Sequence, residues 1–127
     1  MSEYENKYDN TNIFAKILRE EIPCVKVYED RFCLAFNDIN PQAVVHILVI
    51  PKGEYISMDD FSSKASSEEI YAFFKAVGEV ARLAEVDSSG YRIISNHGPD
   101  SHQEVPHFHV HILGGKSLGP LLVKCGG

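Results

Sequence analysis

Val105-Pro106-His107-Phe108-His109-Val110-His111-Ile112-Leu113-Gly114-Gly115 holds three of the six histidines in this 127-residue chain. Polar and apolar residues alternate there with the period of a half-buried strand. His107, His109 and His111 therefore share one face, and Phe108, Val110 and Ile112 point to the core. Histidine changes charge and hydrogen bonding near neutral pH, so a row of three invites a metal ion or an anion.

Strand geometry separates the readings. Side chains at i and i+2 lie about 7 Å apart and those at i and i+4 about 13 Å apart. Zinc holds its nitrogen ligands at roughly 2.0–2.1 Å, so His107 and His111 do not serve one ion together. Two of the three with His46 as a third ligand could form a zinc site, which stays open as an alternative, as does a plain polar strand face. His97 and His102, in the preceding loop, read as ordinary exposed histidines. The third reading is nucleophilic chemistry at phosphorus. A neutral imidazole attacks well when a neighbour fixes its tautomer, and flanking imidazoles can donate to phosphoryl oxygens as charge develops. That reading uses all three: the middle one attacks and its neighbours orient and stabilise.

The elements that must position this row follow from periodicity and caps. Residues Ser2 to Asn10 are almost entirely polar and read as part of a flexible leader, taken as 1–11, before a single domain over 12–127. Ile13, Phe14, Ile17 and Leu18 recur at helical spacing after Thr11 as N-cap, predicting a short helix to about Glu20, ended by Pro23. Val25 to Tyr28 and Phe32 to Phe36 read as a hairpin, and His46 to Ile50 as an apolar strand closed by Pro51. Ser66 and Glu69 form a capping box ahead of a stripe of Ile70, Phe73, Phe74, Val77, Val80, Ala81 and Ala84, predicting a helix from about Ser67 to Glu85. A strand over Tyr91 to Ser95 and a polar loop over Asn96 to Glu104 lead to the histidines. The order predicts an α+β domain whose antiparallel sheet carries helices on one side. The apolar Leu118 to Val123 segment wants a partner surface.

Composition bounds the partners. The 12 basic and 18 acidic side chains give a net charge of -6, which argues against a phosphate-tracking face for nucleic acid. Cys24, Cys33 and Cys125 are widely spaced and odd in number, suggesting neither a disulfide framework nor a zinc ribbon but a reducing compartment. With no apolar run of signal-peptide or membrane-span type, a cytoplasmic protein without membrane partners is expected.

His107-Phe108-His109-Val110-His111-Ile112-Leu113 resembles the His-x-His-x-His-x-x signature of the histidine triad (HIT) superfamily. Phe14-Ala15-Lys16-Ile17, Glu21-Ile22-Pro23, Phe36 to Ala43, His46 to Pro51, Asn96 and Gly114-Gly115 resemble its Hint branch, the histidine triad nucleotide-binding proteins. The likeness runs from Ile13 to about Pro120.

This resemblance implies a five-stranded antiparallel sheet with a long helix and a short N-terminal helix, and a homodimer whose sheets join into ten strands. It implies a metal-independent purine nucleoside phosphoramidase, also acting on acyl adenylates through a nucleotidyl-histidine and releasing AMP or GMP. No cofactor is expected, and zinc, if bound, would not be catalytic. His109 would attack, with His107 and His111 holding the phosphate or the imidazole geometry and His46 bonding in the same cluster. Asp38 would accept from the ribose hydroxyls. Asn96 would contact the phosphate or leaving-group region, Gln103 and Val105 would be further ligand-binding residues, and Ile13, Phe14, Ile17, Phe36 and Ile39 would sandwich the purine. The alternative is a nucleotide-binding regulatory or interaction protein with weak turnover.

The chain departs from that pattern at His102-Gln103-Glu104-Val105, where Glu104 replaces the frequent Ser or Thr and His102 the usual glycine. A carboxylate facing a phosphate must turn away, be protonated or pair with an imidazolium, which suggests Glu104 as general acid for the leaving amine, or as its tuner. The chain also lacks a histidine near Gly53-Glu54-Tyr55 and a tryptophan near its end that some members have.

Overall fold

The computed structural model of the chain describes residues 7–122. The elements are α1 (Ile13–Leu18), β1 (Lys26–Glu29), β2 (Cys33–Asn37), β3 (Val45–Pro51), α2 (Met58–Lys64), α3 (Ser67–Leu83), β4 (Tyr91–Ile94) and β5 (Val110–Gly114), with a 3-10 turn at Pro99–Ser101. The strands form one five-stranded sheet in the order β1-β2-β3-β5-β4, and every neighbouring pair is antiparallel. The expected α+β class and strand count both hold.

Alternation along β2, β3 and β5 divides the buried residues between the two faces of the sheet. Cys33, Ala35, Ile47, Val49, Val110 and Ile112 join Phe61 of α2 and Phe73, Ala76, Val77 and Val80 of α3 in the larger cluster. Leu34, Phe36, Leu48 and Ile50 point the other way and meet Phe14 and Ile17 of α1. The expectation of helices on one side is therefore corrected. The central strands are apolar on both faces, so each face needs a cover, and α1 supplies the second one.

The capping box of α3 is formed as read. Ser66 Oγ accepts from the Glu69 amide at 3.1 Å and the Ser66 amide donates to Glu69 Oε1 at 2.9 Å. The helix stops at Leu83 rather than Glu85, which sits in the left-handed region at φ 60. Phe74 leaves the predicted stripe: it is 53% exposed while Phe73 is fully buried, since adjacent helical residues lie about 100° apart and one sheet face takes only one of them. Helix α1 is capped by Asn12, whose Oδ1 accepts from the Ala15 amide at 2.9 Å. Thr11, the expected cap, instead donates its hydroxyl to Asp9 at 2.6 Å. The helix ends at Leu18 because Glu20 turns left-handed at φ 64. Helix α2 escaped the sequence reading, since Phe61 is its only buried side chain and one residue makes no periodicity.

Gly115 is required by geometry: it has φ +89, and an added Cβ would stand 2.8 Å from Val44 Cβ. Cys24 is half-buried and Cys33 buried, both as free thiols; Cys125 lies outside the described residues, as does Val123 of the apolar tail segment. Among the described residues no helix is long and apolar enough to cross a membrane.

Candidate active site

The histidine stretch is only partly a strand. Its ladder begins at Val110, so His111 alone of the three lies in β5. His107 to His109 are tied instead to the end of β3 and the segment after it. Pro106 has no N–H, the Phe108 amide donates to the Tyr55 carbonyl at 2.7 Å, and the His107 ring donates to the Pro51 carbonyl at 2.8 Å. On the other side, the Ser95 hydroxyl donates to the His109 carbonyl at 3.0 Å. The alternation of faces survives this change. Phe108, Val110 and Ile112 sit in the larger core, while the three imidazoles lie on the α1 side, with the Phe14 ring edge-on to His109 at 4.9 Å.

Backbone partners fix the tautomers of His46, His107 and His109, because an amide can only donate and a carbonyl can only accept, and His46 then fixes that of His111. The Gln42 amide donates to His46 Nδ1 at 3.0 Å, so the proton of neutral His46 is on Nε2. That atom faces His111 Nδ1 at 2.9 Å and donates to it. His111 consequently carries its own proton on Nε2. His46 sits opposite Leu113, and His111 opposite Leu48, in the β3–β5 register, which makes the two imidazoles diagonal neighbours on one face. His109 Nδ1 lies 2.7 Å from the His107 carbonyl and must donate to it. Its Nε2 is left with a free lone pair, the form a nucleophile needs.

Burial reinforces these neutral states. His107, the most enclosed, is pushed down to about 4 chiefly by burial, partly offset by its bond to the Pro51 carbonyl and reinforced by the nearness of His109. His111 is likewise lowered to about 4, by burial first and then by His109 and His46 beside it. His109 and His46 are shifted down too, again by burial, with Asp38 pulling each in the opposite direction. At neutral pH the cluster is uncharged.

A cavity of about 600 Å³ opens over this cluster. Of the residues read from sequence, His46, His109, His111, Asp38, Asn96, Glu104, Val105, Ile13, Phe14, Ile17, Phe36 and Ile39 line it. His107 and Gln103 do not. His107 is 0% exposed, so of the two tasks expected of it only holding the imidazole geometry is open to it. The Gln103 amide is occupied as a clasp: Nε2 donates to the Ile56 and Val105 carbonyls at 2.7 and 3.0 Å, and Oε1 accepts from the Gly98 amide at 2.9 Å. Sequence reasoning missed Leu48 and Ile22 in the cavity wall. Leu48 was legible, since it shares a strand face with His46.

The polar rim has two carboxylates. Asp38 Oδ1 accepts from the Asn40 amide at 2.8 Å, while Oδ2 lies 3.4 Å from His46 Nε2. Glu104 lies 3.2 Å from His102 Nε2, and both side chains are largely exposed. His102 takes the left-handed conformation, φ 62 and ψ 46, after the 3-10 turn, so the loop makes a glycine-type turn without glycine. Among the described residues no lysine or arginine lines the cavity.

Among the described residues one group could hold a metal ion: Asp38, His46 and His111, with ligand atoms within 4.8 Å of one another. The zinc alternative of two triad histidines with His46 is corrected by this geometry. The group takes in one triad histidine, His111, with Asp38 in place of a second; no His109 nitrogen belongs to it, and both nitrogens of His107 are hydrogen-bonded elsewhere. An ion at the observed group would also have to displace the His46–His111 hydrogen bond.

Comparisons with known proteins agree with this arrangement. The HIT domain family model matches residues 19–118. An uncharacterised 13.2 kDa HIT-like protein of Azospirillum brasilense is 60% identical over 117 residues, spanning 92% of this chain and 96% of its own. The purine nucleoside phosphoramidase of Escherichia coli K12 is 42% identical over 117 residues, covering 90% of this chain and 95% of that one. A solved HIT family hydrolase from Clostridium thermocellum superposes with a TM-score of 0.83 at 35% identity, covering 91% and 99% of the two chains.

Proposed function

Because this chain belongs to the HIT domain family, in its Hint-like branch, we propose that it is a hydrolase of purine nucleoside phosphoramidates and related acyl adenylates. The observation that carries the reading is the free lone pair of His109 Nε2, left by its bond to the His107 carbonyl, at a cavity whose described lining residues include no cationic side chain. In this reading Nε2 attacks the α-phosphorus and the P–N bond breaks as the amine departs with a proton. His111 Nε2–H donates to the phosphoryl oxygens as charge builds. Water then attacks the phosphorus of the nucleotidyl-histidine, the P–Nε2 bond breaks and the nucleoside monophosphate leaves. Asp38 receives the ribose hydroxyls, Asn96 contacts the phosphate region, and Phe14, Ile17, Phe36, Ile13 and Ile39 form the slot for the base.

Charge supports a P–N substrate over a polyphosphate. A chain of several phosphates would face Asp38 and Glu104 with neutral imidazoles and, among the described residues, no Lys or Arg to offset its charge. The test is incubation with adenosine 5′-phosphoramidate and, separately, with a diadenosine polyphosphate. AMP is expected from the first and little from the second. AMP binding without AMP release from the phosphoramidate would leave a nucleotide-binding regulatory protein and end the enzymatic reading.

Glu104, bonded to His102 at the rim, is the group proposed to protonate the amine or to tune its protonation. Glu104→Gln should lower kcat about 10²-fold for basic amines, the low end of general-acid effects, and much less for good leaving groups. The pH–rate profile should change with it, and an unchanged profile would remove Glu104 from the mechanism.

The native state is proposed to be a homodimer. Strand β4 is an outer strand with Tyr91, Ile93 and Ile94 partly exposed, and Leu121 and Leu122 of the tail are 80% and 77% exposed. A second copy adding its own edge would cover such surface and continue the sheet.

A further inference from the structure

The segment before α1 reaches the triad. Of the expected leader, residues 7–11 fall within the described structure, and Tyr8 there is anchored rather than loose. Its hydroxyl lies 2.5 Å from His107 Nδ1. The His107 ring proton is on Nε2, where it donates to the Pro51 carbonyl, so Nδ1 can only accept and Tyr8 must be the donor. The Tyr8 oxygen in turn accepts from Asn12 Nδ2 at 3.0 Å. With one lone pair taken by that amide, the O–H stays aimed at His107. Asn12 also donates to the Asp9 carbonyl at 2.9 Å while its Oδ1 caps α1, so one side chain sets both the helix start and the direction of the Tyr8 proton.

From this relay we infer that Tyr8 is a positioning residue for the triad, acting through His107 on the nucleophile. His107 is fully buried and does not touch the cavity, and its carbonyl is what sets the His109 tautomer. Tyr8 and Pro51 grip its two ring nitrogens from opposite sides, so neither nitrogen is left unsatisfied in the interior. Without the Tyr8 hydroxyl, Nδ1 becomes a buried acceptor with no donor, which the ring relieves by shifting. A shift there moves the His107 carbonyl and spreads His109 Nε2 over orientations that do not face phosphorus. Tyr8 thus controls how often the site is competent, not how well it binds nucleotide.

The catalytic half of this inference rests on the proposed role of His109; the structural half does not. Two variants separate them. Tyr8→Phe keeps the ring and loses the donor. Asn12→Asp keeps a cap acceptor for α1 but loses the N–H that holds Tyr8, and its carboxylate draws the Tyr8 proton toward itself. Both variants should lower kcat for adenosine phosphoramidate by roughly tenfold with KM and AMP affinity within about twofold. In both, the ¹⁵N resonance of His107 Nδ1 in the free protein should move toward that of an unbonded imidazole acceptor, with melting of the fold still cooperative. An unchanged Nδ1 resonance in Tyr8→Phe would overturn the relay whether or not the protein turns over substrate. A changed resonance with wild-type kcat would overturn its effect on the nucleophile. If the wild-type protein releases no AMP at all, the function reading fails while the resonance still decides the relay.

Discussion

His109→Ala is expected to lower kcat for phosphoramidate hydrolysis by about 10⁴-fold, the scale on which removing a covalent nucleophile acts. The reason lies in its position: it is the cavity-lining histidine whose second nitrogen is committed to a carbonyl within its own stretch, two residues back. His46 and His111 spend theirs on each other, and His107 is sealed from the cavity. None can inherit the attack without dismantling a hydrogen bond. Steady-state turnover of the variant, with AMP binding measured alongside, makes the check. Acid-quenched wild-type protein should carry a nucleotidyl adduct on His109, seen as an added nucleotide mass on the peptide holding that residue. Full activity in His109→Ala, or an adduct on another histidine, would sink the assignment.

Stability should fall steeply on mild acidification, from about pH 6.5 down to about pH 4. His107 titrates near 4 in the folded protein, lowered above all by burial, against an ordinary value of about 6.5 when unfolded. Between those values the unfolded chain binds a proton that the folded one refuses. The contribution is therefore fully present above pH 6.5 and is lost progressively as pH falls toward 4. For this fully buried ring the difference is on the order of 3 kcal/mol. His111, lowered to about 4, and His46 and His109, lowered as well, push in the same direction. Glu29, held down to about 2 by Lys26 and then Lys52, adds acid sensitivity mainly below this window, from about pH 4.5 downward. Urea unfolding at pH 7, 5.5 and 4.5 tests the sign, and His107→Gln, which donates to Pro51 but does not titrate, should flatten the slope. A wild-type stability independent of pH across the window would contradict the burial of these rings.

The acid sensitivity and the catalysis have one origin. Rings that stay neutral at physiological pH are rings from which a proton is disfavoured, and a neutral His109 is a nucleophile while a protonated one is not. The site keeps its chemistry by accepting a loss of stability in acid.

The chain determined by itself the period-two alternation around the triad, the capping box and stripe of α3, the hairpin, and the placing of His46 with Leu48 on one strand face. These are local facts, written in spacings of two to four residues, and they persist in the fold except that Phe74 leaves the stripe. It also marked Glu104 and His102 as a departure, which the structure turns into a bonded pair at the cavity rim. Tertiary structure alone decided that α1 covers the second face of the sheet, that Gln103 is a clasp, and that His107 is walled off from the cavity. It also brought Pro51 and Tyr8, 56 and 99 residues away in sequence, onto the two ring nitrogens of His107. Periodicity tells which side of a strand a residue faces; it carries no information about what distant backbone will meet it there. For His107 and His111 a distant partner decides the tautomer; for His109 the His107 carbonyl two residues back decides it, and that tautomer leaves Nε2 free to react.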